Sequence, residues 1–254
     1  MRSYAKPGLQ YLLVGAVSLA ALTFLLPLTN SLEYPRIAQI TAYALVLASV
    51  VLLLHGFILA AGEYVTSRLL VVGAAAAALG VLFVFFVSFK SLESGFNFEF
   101  PFALLLANLF RILAAAIVGI SLARYVSSIG VVLLLAAVAV TADLLSVFAG
   151  PTRVLVEEGS PALDFLLVVF PTFGSTSGFA LGVSDVIFLA LFAAASRFLN
   201  LRYPATLLSV CFATVLALTA GLLLERPLPA LPFIALATVL INADLILSSI
   251  TKRS

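Results

Sequence analysis

Histidine and cysteine each occur once in these 254 residues, and charged side chains make up only 9% of them. The single histidine, His55, lies inside an apolar run, so neither an HExxH pair nor a His/Cys ligand cluster exists, and a zinc metalloprotease has no support. The same scarcity weakens a serine-protease reading of Ser177-Gly178, because such a serine needs a histidine base and His55 lies far upstream in another apolar run. Cys211 stands alone within an apolar run and can form no disulfide within one chain. The net charge is only +2, and the basic residues are scattered singly near segment ends. They form no patch of the kind that binds nucleic acid.

What is abundant is apolar: 64% of the chain is hydrophobic and its mean hydropathy is +1.27. A soluble core of this size requires nothing like that, and the chain reads as a polytopic membrane protein. Runs long enough to cross a bilayer, about 20 residues each, fall at roughly 9–29, 37–61, 67–88, 101–123, 129–149, 180–198, 204–224 and 230–250. The expectation is an all-α polytopic transmembrane bundle with eight visible spans and no soluble domain. A shorter run, Phe165 to Phe170, ends at Pro171 and reads as an extended or re-entrant piece. The first run lacks a clear small-x-small cleavage site and reads as a retained membrane anchor.

With eight spans, one side of the membrane holds Arg2, Lys6, Arg68, Arg124, Arg197, Arg202, Lys252 and Arg253. The other holds Arg36, Lys90, Arg153 and Arg226. The bias places both termini in the cytoplasm of a multi-pass cell-membrane protein.

The chain divides by character into residues 1–128, a scaffold of apolar helices, and residues 129–254, where Pro, Gly and polar residues interrupt the runs. Small residues such as Gly73, Ala77 and Gly80 in the first part permit close helix approach. In the second part, interrupted helices are expected around a buried site or a water-filled cavity. The connection from Gly150 to Phe179 contains Glu157, Glu158 and Asp164, which read as loop charges. It also contains Gly-Ser-Thr-Ser-Gly, from Gly174 to Gly178, which reads as a flexible approach to the next helix.

Two acids stand inside apolar runs of this second part. Asp143 lies about four turns into its segment, in Ala-Val-Thr-Ala-Asp-Leu-Leu-Ser, and Asp185 lies near the start of the next long run, in Leu-Gly-Val-Ser-Asp-Val-Ile-Phe. An ionisable residue at that depth is costly and marks a functional task. Consecutive spans run antiparallel, so the two carboxyls can meet at similar depth. There they cannot both ionise easily, and one is held protonated beside a charged partner. Such a pair suits hydrolysis of a peptide bond, with one carboxyl activating water and the other polarising the carbonyl. It also suits a proton or cation relay in a small ion-coupled transporter, for which Asp244 and Arg111 are further candidates.

The stretch from Asp143 to Glu157, the Leu-Gly-Val-Ser-Asp185 sequence and the triplet Pro229-Ala230-Leu231 resemble, in order, the three signatures of the presenilin and signal peptide peptidase family of intramembrane aspartyl proteases. The resemblance covers the chain from about residue 129 onward. It implies a presenilin-like fold of eight to nine spans, with Asp143 and Asp185 as the catalytic dyad. Gly182, Ser184, Pro229, Ala230 and Leu231 would place the substrate, a transmembrane segment of another membrane protein. No metal or organic cofactor is implied, and no element calls for accessory subunits. Three features depart from the family pattern: Ala142 stands where a tyrosine is usual, Ser184 where a second glycine is usual, and one of nine spans is missing from the N-terminal half. The small size, with no large insertion between the catalytic spans, is similar to archaeal members. Pro227, Pro229 and Pro232 would keep the backbone beside the dyad non-helical and open to an extended substrate strand.

Overall fold

A computed structural model of the chain describes residues 5–29, 36–64, 80, 101–148, 166–226 and 228–251. The apolar run at 67–88, apart from Gly80, and Arg153, Glu157, Glu158, Asp164, Pro227, Lys252 and Arg253 lie outside the described residues.

The described residues are mostly helical. Helices α1 (Ala5–Leu25) and α2 (Arg36–Tyr64) are followed by α3 (Pro101–Ala123) and α4 (Ile129–Phe148). Strands β1 (Leu167–Thr172) and β2 (Ser175–Gly182) lead directly into α5 (Val183–Phe198). The chain then forms α6 (Tyr203–Leu224), α7 (Leu231–Ile241) and α8 (Ala243–Thr251). Five of these, α1 to α4 and α6, contain stretches long and apolar enough to cross a membrane, or six spans if α7 and α8 count as one broken helix. Large apolar side chains such as Leu134, Val138 and Leu145 on α4 and Leu208 and Phe212 on α6 are exposed, as expected of surfaces that meet lipid.

Four readings of the sequence are corrected. The fold is not purely helical, because residues 167–182 form an antiparallel hairpin. Its two-residue turn places Gly174 at φ 75°, a conformation that glycine adopts without a Cβ clash. The Gly174–Gly178 segment is therefore mostly strand rather than a flexible approach. Pro171 sits where the register slips between Phe170 and Thr172, a position at which a missing N–H is tolerated. The run at 180–198 is likewise not one helix: its first residues belong to β2, which leaves α5 at 16 residues. The run at 230–250 breaks at Asn242, where α7 and α8 meet at 68°.

The contacts divide the chain into two units. The first comprises residues 1–118 and 167–183, the second residues 119–166 and 184–254. In the first, α1 and α2 pack along each other. A Cβ on Gly56 would lie 2.6 Å from the backbone nitrogen of Leu12, so the glycine permits the approach. The hairpin belongs to this unit, with Phe170 and Phe179 in ring contact and Tyr43 of α2 packed on Phe179. In the second unit, α7 packs against both α4 and α6, while the last turns of α3 meet α5 at Gly119.

Candidate functional site

The site is built in the second unit. Asp143 lies on α4 and is half-buried. Its Oδ2 accepts a hydrogen bond of 2.9 Å from the backbone N–H of Leu231, the first residue of α7. That N–H is one of the four at a helix start with no partner inside the helix, and Pro232, next in the chain, is of the type favoured at such starts. The last residue of the Pro-Ala-Leu triplet thus touches one candidate carboxylate across 88 positions of sequence. Pro229 and Ala230 are buried beside it in sequence, and Leu231 is 4% exposed.

Asp185 occupies the first turn of α5, and Arg197 the last. Both charges complement the helix dipole. Nearly every residue of α5 from Leu189 to Ser196 is buried, so the helix that carries the second acid is the most enclosed element of the unit. Gly182 ends β2, and Ser184, the second residue of α5, is exposed.

Depths along the helices can be compared because several ends gather in one place. A cleft of about 420 Å³ is lined by Ser127, Ser128, Ile129, Gly130 and Leu133 at the start of α4, by Leu199 just past α5, and by Ser249 of α8. The N-terminus of α4 and the C-terminus of α5 therefore lie at the same end. At a rise of 1.5 Å per residue, Asp143 lies about 21 Å along α4 from that end and Asp185 about 20 Å along α5. Leu231 lies about 15 Å along α7 from its break at Asn242. With the shared end at the edge of a hydrocarbon layer of about 30 Å, these positions would fall within the layer.

The remaining polar groups sit at the shared end. Arg202, just before α6, pairs with Asp244 of α8 at 2.6 Å, and both side chains are more than half exposed. Asn242 is fully buried at the break; its Nδ2 donates to Thr206 Oγ1 and to the Thr238 carbonyl. In the sequence Arg202 reads only as a topology charge, and no local pattern links it to residues 40 positions away. Among the described residues, no three His, Cys, Asp or Glu side chains converge in a way that could hold a metal ion. Compared with family models, with curated proteins and with solved structures, the chain shows no significant match to any.

Proposed function

We propose that this chain is an intramembrane aspartyl endopeptidase in which Asp143 and Asp185 act as alternating acid and base. The observation that carries the reading is the hydrogen bond from Leu231 to Asp143, which joins the Pro-Ala-Leu element to the first acid. The similar distances of the two acids along their helices, each about 20 Å from the end that α4 and α5 share, add support. The helical membrane architecture and the resemblance to presenilin-like proteases agree with it. The substrate is the transmembrane segment of another protein, held in the lipid bilayer with its termini and those of the enzyme's spans in water.

The chemistry needs water, two carboxyls and an unwound peptide. One carboxylate takes a proton from water as the water oxygen bonds to the scissile carbonyl carbon, while the protonated partner donates to the carbonyl oxygen. Collapse of the tetrahedral intermediate breaks the C–N bond, and the nitrogen leaves with a proton from the carboxyl that received one. The N–H of Leu231 donates to one oxygen of Asp143 and restrains the carboxyl's rotation, and the other oxygen would take the water. A helical substrate hides its peptide bonds, so glycine or polar residues that ease local unwinding should favour cleavage. A pair sharing one proton gives a rate that falls on both sides of an optimum pH.

The competing reading is a small ion-coupled transporter using the same acids with Asp244 and Arg111. The exposed ion pair of Asp244 with Arg202 favours the protease, because it engages that acid at a helix end rather than along an interior path. The test is cleavage of transmembrane reporter substrates by the purified protein in liposomes, comparing wild type with Asp143→Asn and Asp185→Asn. Loss of cleavage in each variant, with folding retained, is expected. A folded wild type that cleaves none of a broad panel, or whose ion flux depends on Asp244 or Arg111, would overturn the reading.

A further inference from the structure

One arginine holds both sides of the break between α7 and α8. The backbone N–H of Arg202 donates to Asn242 Oδ1 at 3.0 Å, its Nη1 to the carbonyl oxygen of Ile241 at 3.2 Å, and its Nη2 to Asp244 Oδ2 at 2.6 Å. These three acceptors are the residue at the break, the last residue of α7 and the first turn of α8. Asn242 extends the attachment through Thr206 of α6. The C-terminal end of α7 is thus fixed to the N-terminal end of α6 by a backbone N–H and by the two prongs of the guanidinium, and the two-pronged part is a geometry a lysine cannot reproduce.

The opposite end of α7 is Leu231, whose N–H sits on Asp143. Between the two attachments lie 11 helical residues with no glycine, a strut about 16 Å long. Such an element transmits position from one end to the other: if its C-terminal end slides or turns, the Leu231 N–H leaves Asp143.

We infer that Arg202 is a positioning residue, whose guanidinium clamp on Ile241 and Asp244, beside the main-chain bond to Asn242 that the variants keep, sets the placement of α7 and so holds the Leu231 N–H on Asp143. The inference rests on the protease reading only for its catalytic consequence; the placement of α7 is a property of the fold. The exposed ion pair contributes little to global stability, as such pairs generally do, so its effect falls on geometry. A lysine at 202 keeps the charge but cannot reach Ile241 and Asp244 together, and Asp244→Asn keeps an acceptor oxygen and only weakens one of the attachments by removing its charge. The effects should therefore rank Arg202→Ala first, then Arg202→Lys and Asp244→Asn.

The experiment has two arms on the full-length protein in liposomes. In a Cys211→Ala background, cysteines at the exposed positions Leu134 on α4 and Leu236 on α7 are spin-labelled, and the distance between them is measured. Arg202→Ala should shift or broaden a distribution that is narrow with arginine, and Arg202→Lys should fall between. In the unlabelled protein, reporter cleavage by Arg202→Ala should show kcat reduced about tenfold or more, as small misplacements of catalytic groups produce. KM and melting temperature should stay near wild type, and lysine should recover part of the rate. An unchanged distance in Arg202→Ala overturns the inference, as does a shifted distance with unchanged kcat, or a loss of rate explained wholly by loss of folded protein. A wild type that cleaves nothing overturns the protease reading instead, and the distance then decides by itself whether Arg202 sets the placement of α7.

Discussion

On the protease reading Asp143 has two tasks that different substitutions separate. Asparagine keeps an oxygen that can accept the Leu231 N–H but cannot exchange a proton with water, so Asp143→Asn should fold like wild type and cleave nothing. Alanine removes the acceptor as well and leaves a helix-start N–H without its partner, at a cost of about 1–3 kcal/mol. Asp143→Ala should therefore melt measurably below Asp143→Asn, a difference visible in thermal unfolding followed by circular dichroism in detergent. Equal melting temperatures would show that the hydrogen bond at 2.9 Å matters little. Asp185 differs in kind: it opens α5, where an acid contributes about 0.3–1 kcal/mol through the helix dipole. Both acids stand out in the sequence, since each interrupts an apolar run. The third member of the arrangement, a backbone N–H, leaves no trace in any side-chain pattern, and only the Pro-Ala-Leu resemblance pointed to its neighbourhood.

At the scale of elements, glycine contacts fix how closely α3 approaches α5. A Cβ on Gly119 would lie 2.3 Å from the carbonyl oxygen of Ile187 and 2.8 Å from the Ala190 Cβ, so alanine there must push the two helices apart. Gly119→Ala should cost about 1–3 kcal/mol, in the range of overpacked cores, and should reduce cleavage by moving the helix that carries Asp185. Gly130, on the exposed start of α4, meets only the Ser128 hydroxyl at 3.8 Å. Gly130→Ala should leave stability unchanged or raise it by up to about 1 kcal/mol. Paired thermal melts of the two variants check the contrast. The elements themselves were legible where a run is long and uniform: α2, α3, α4 and α6 start and end within a few residues of their runs. The hairpin was not legible, because Gly-Ser-Thr-Ser-Gly has the composition of a loop and the apolar residues of β2 merge with those of α5. The break at Asn242 was hidden for a related reason, since two polar residues barely lower the hydropathy of a 21-residue stretch.

For the whole molecule, the excess of basic residues at one set of loops sets an expected orientation. Tyr125, in the turn between α3 and α4, is 84% exposed and should lie on the cytoplasmic side with Arg124, Arg197 and Arg202; Arg226, past α6, should lie opposite. In a Cys211→Ala background, a cysteine at position 125 should react with a membrane-impermeant maleimide only when the cytoplasmic face is open, and one at position 226 only from outside. The reverse pattern would invert the topology. Arg124 and Arg226 were placed on these sides from charge counting alone; the shared end of α4, α5 and α8 required the fold, because it brings together residues far apart in sequence.

The short α7 has a consequence for the chain just ahead of it. On the protease reading Leu231 lies within the hydrocarbon layer, so the described residues just ahead of it, Leu228 to Ala230, should lie there too without a helix, where each N–H lacking a partner is costly. A census of donors from Glu225 to Leu231 shows how few there are. Those of Glu225 and Arg226 go to the Gly221 carbonyl and that of Leu231 to Asp143, while positions 227 and 229 are prolines and have none to place. Only Leu228 and Ala230 add to the sum. Replacing Pro229 by alanine, a change that ordinarily frees a constrained chain, here introduces a donor into a buried position, and Pro229→Ala should lower the melting temperature rather than leave it untouched. On this accounting, proline is present in this segment as much for the hydrogen it omits as for the bend it imposes.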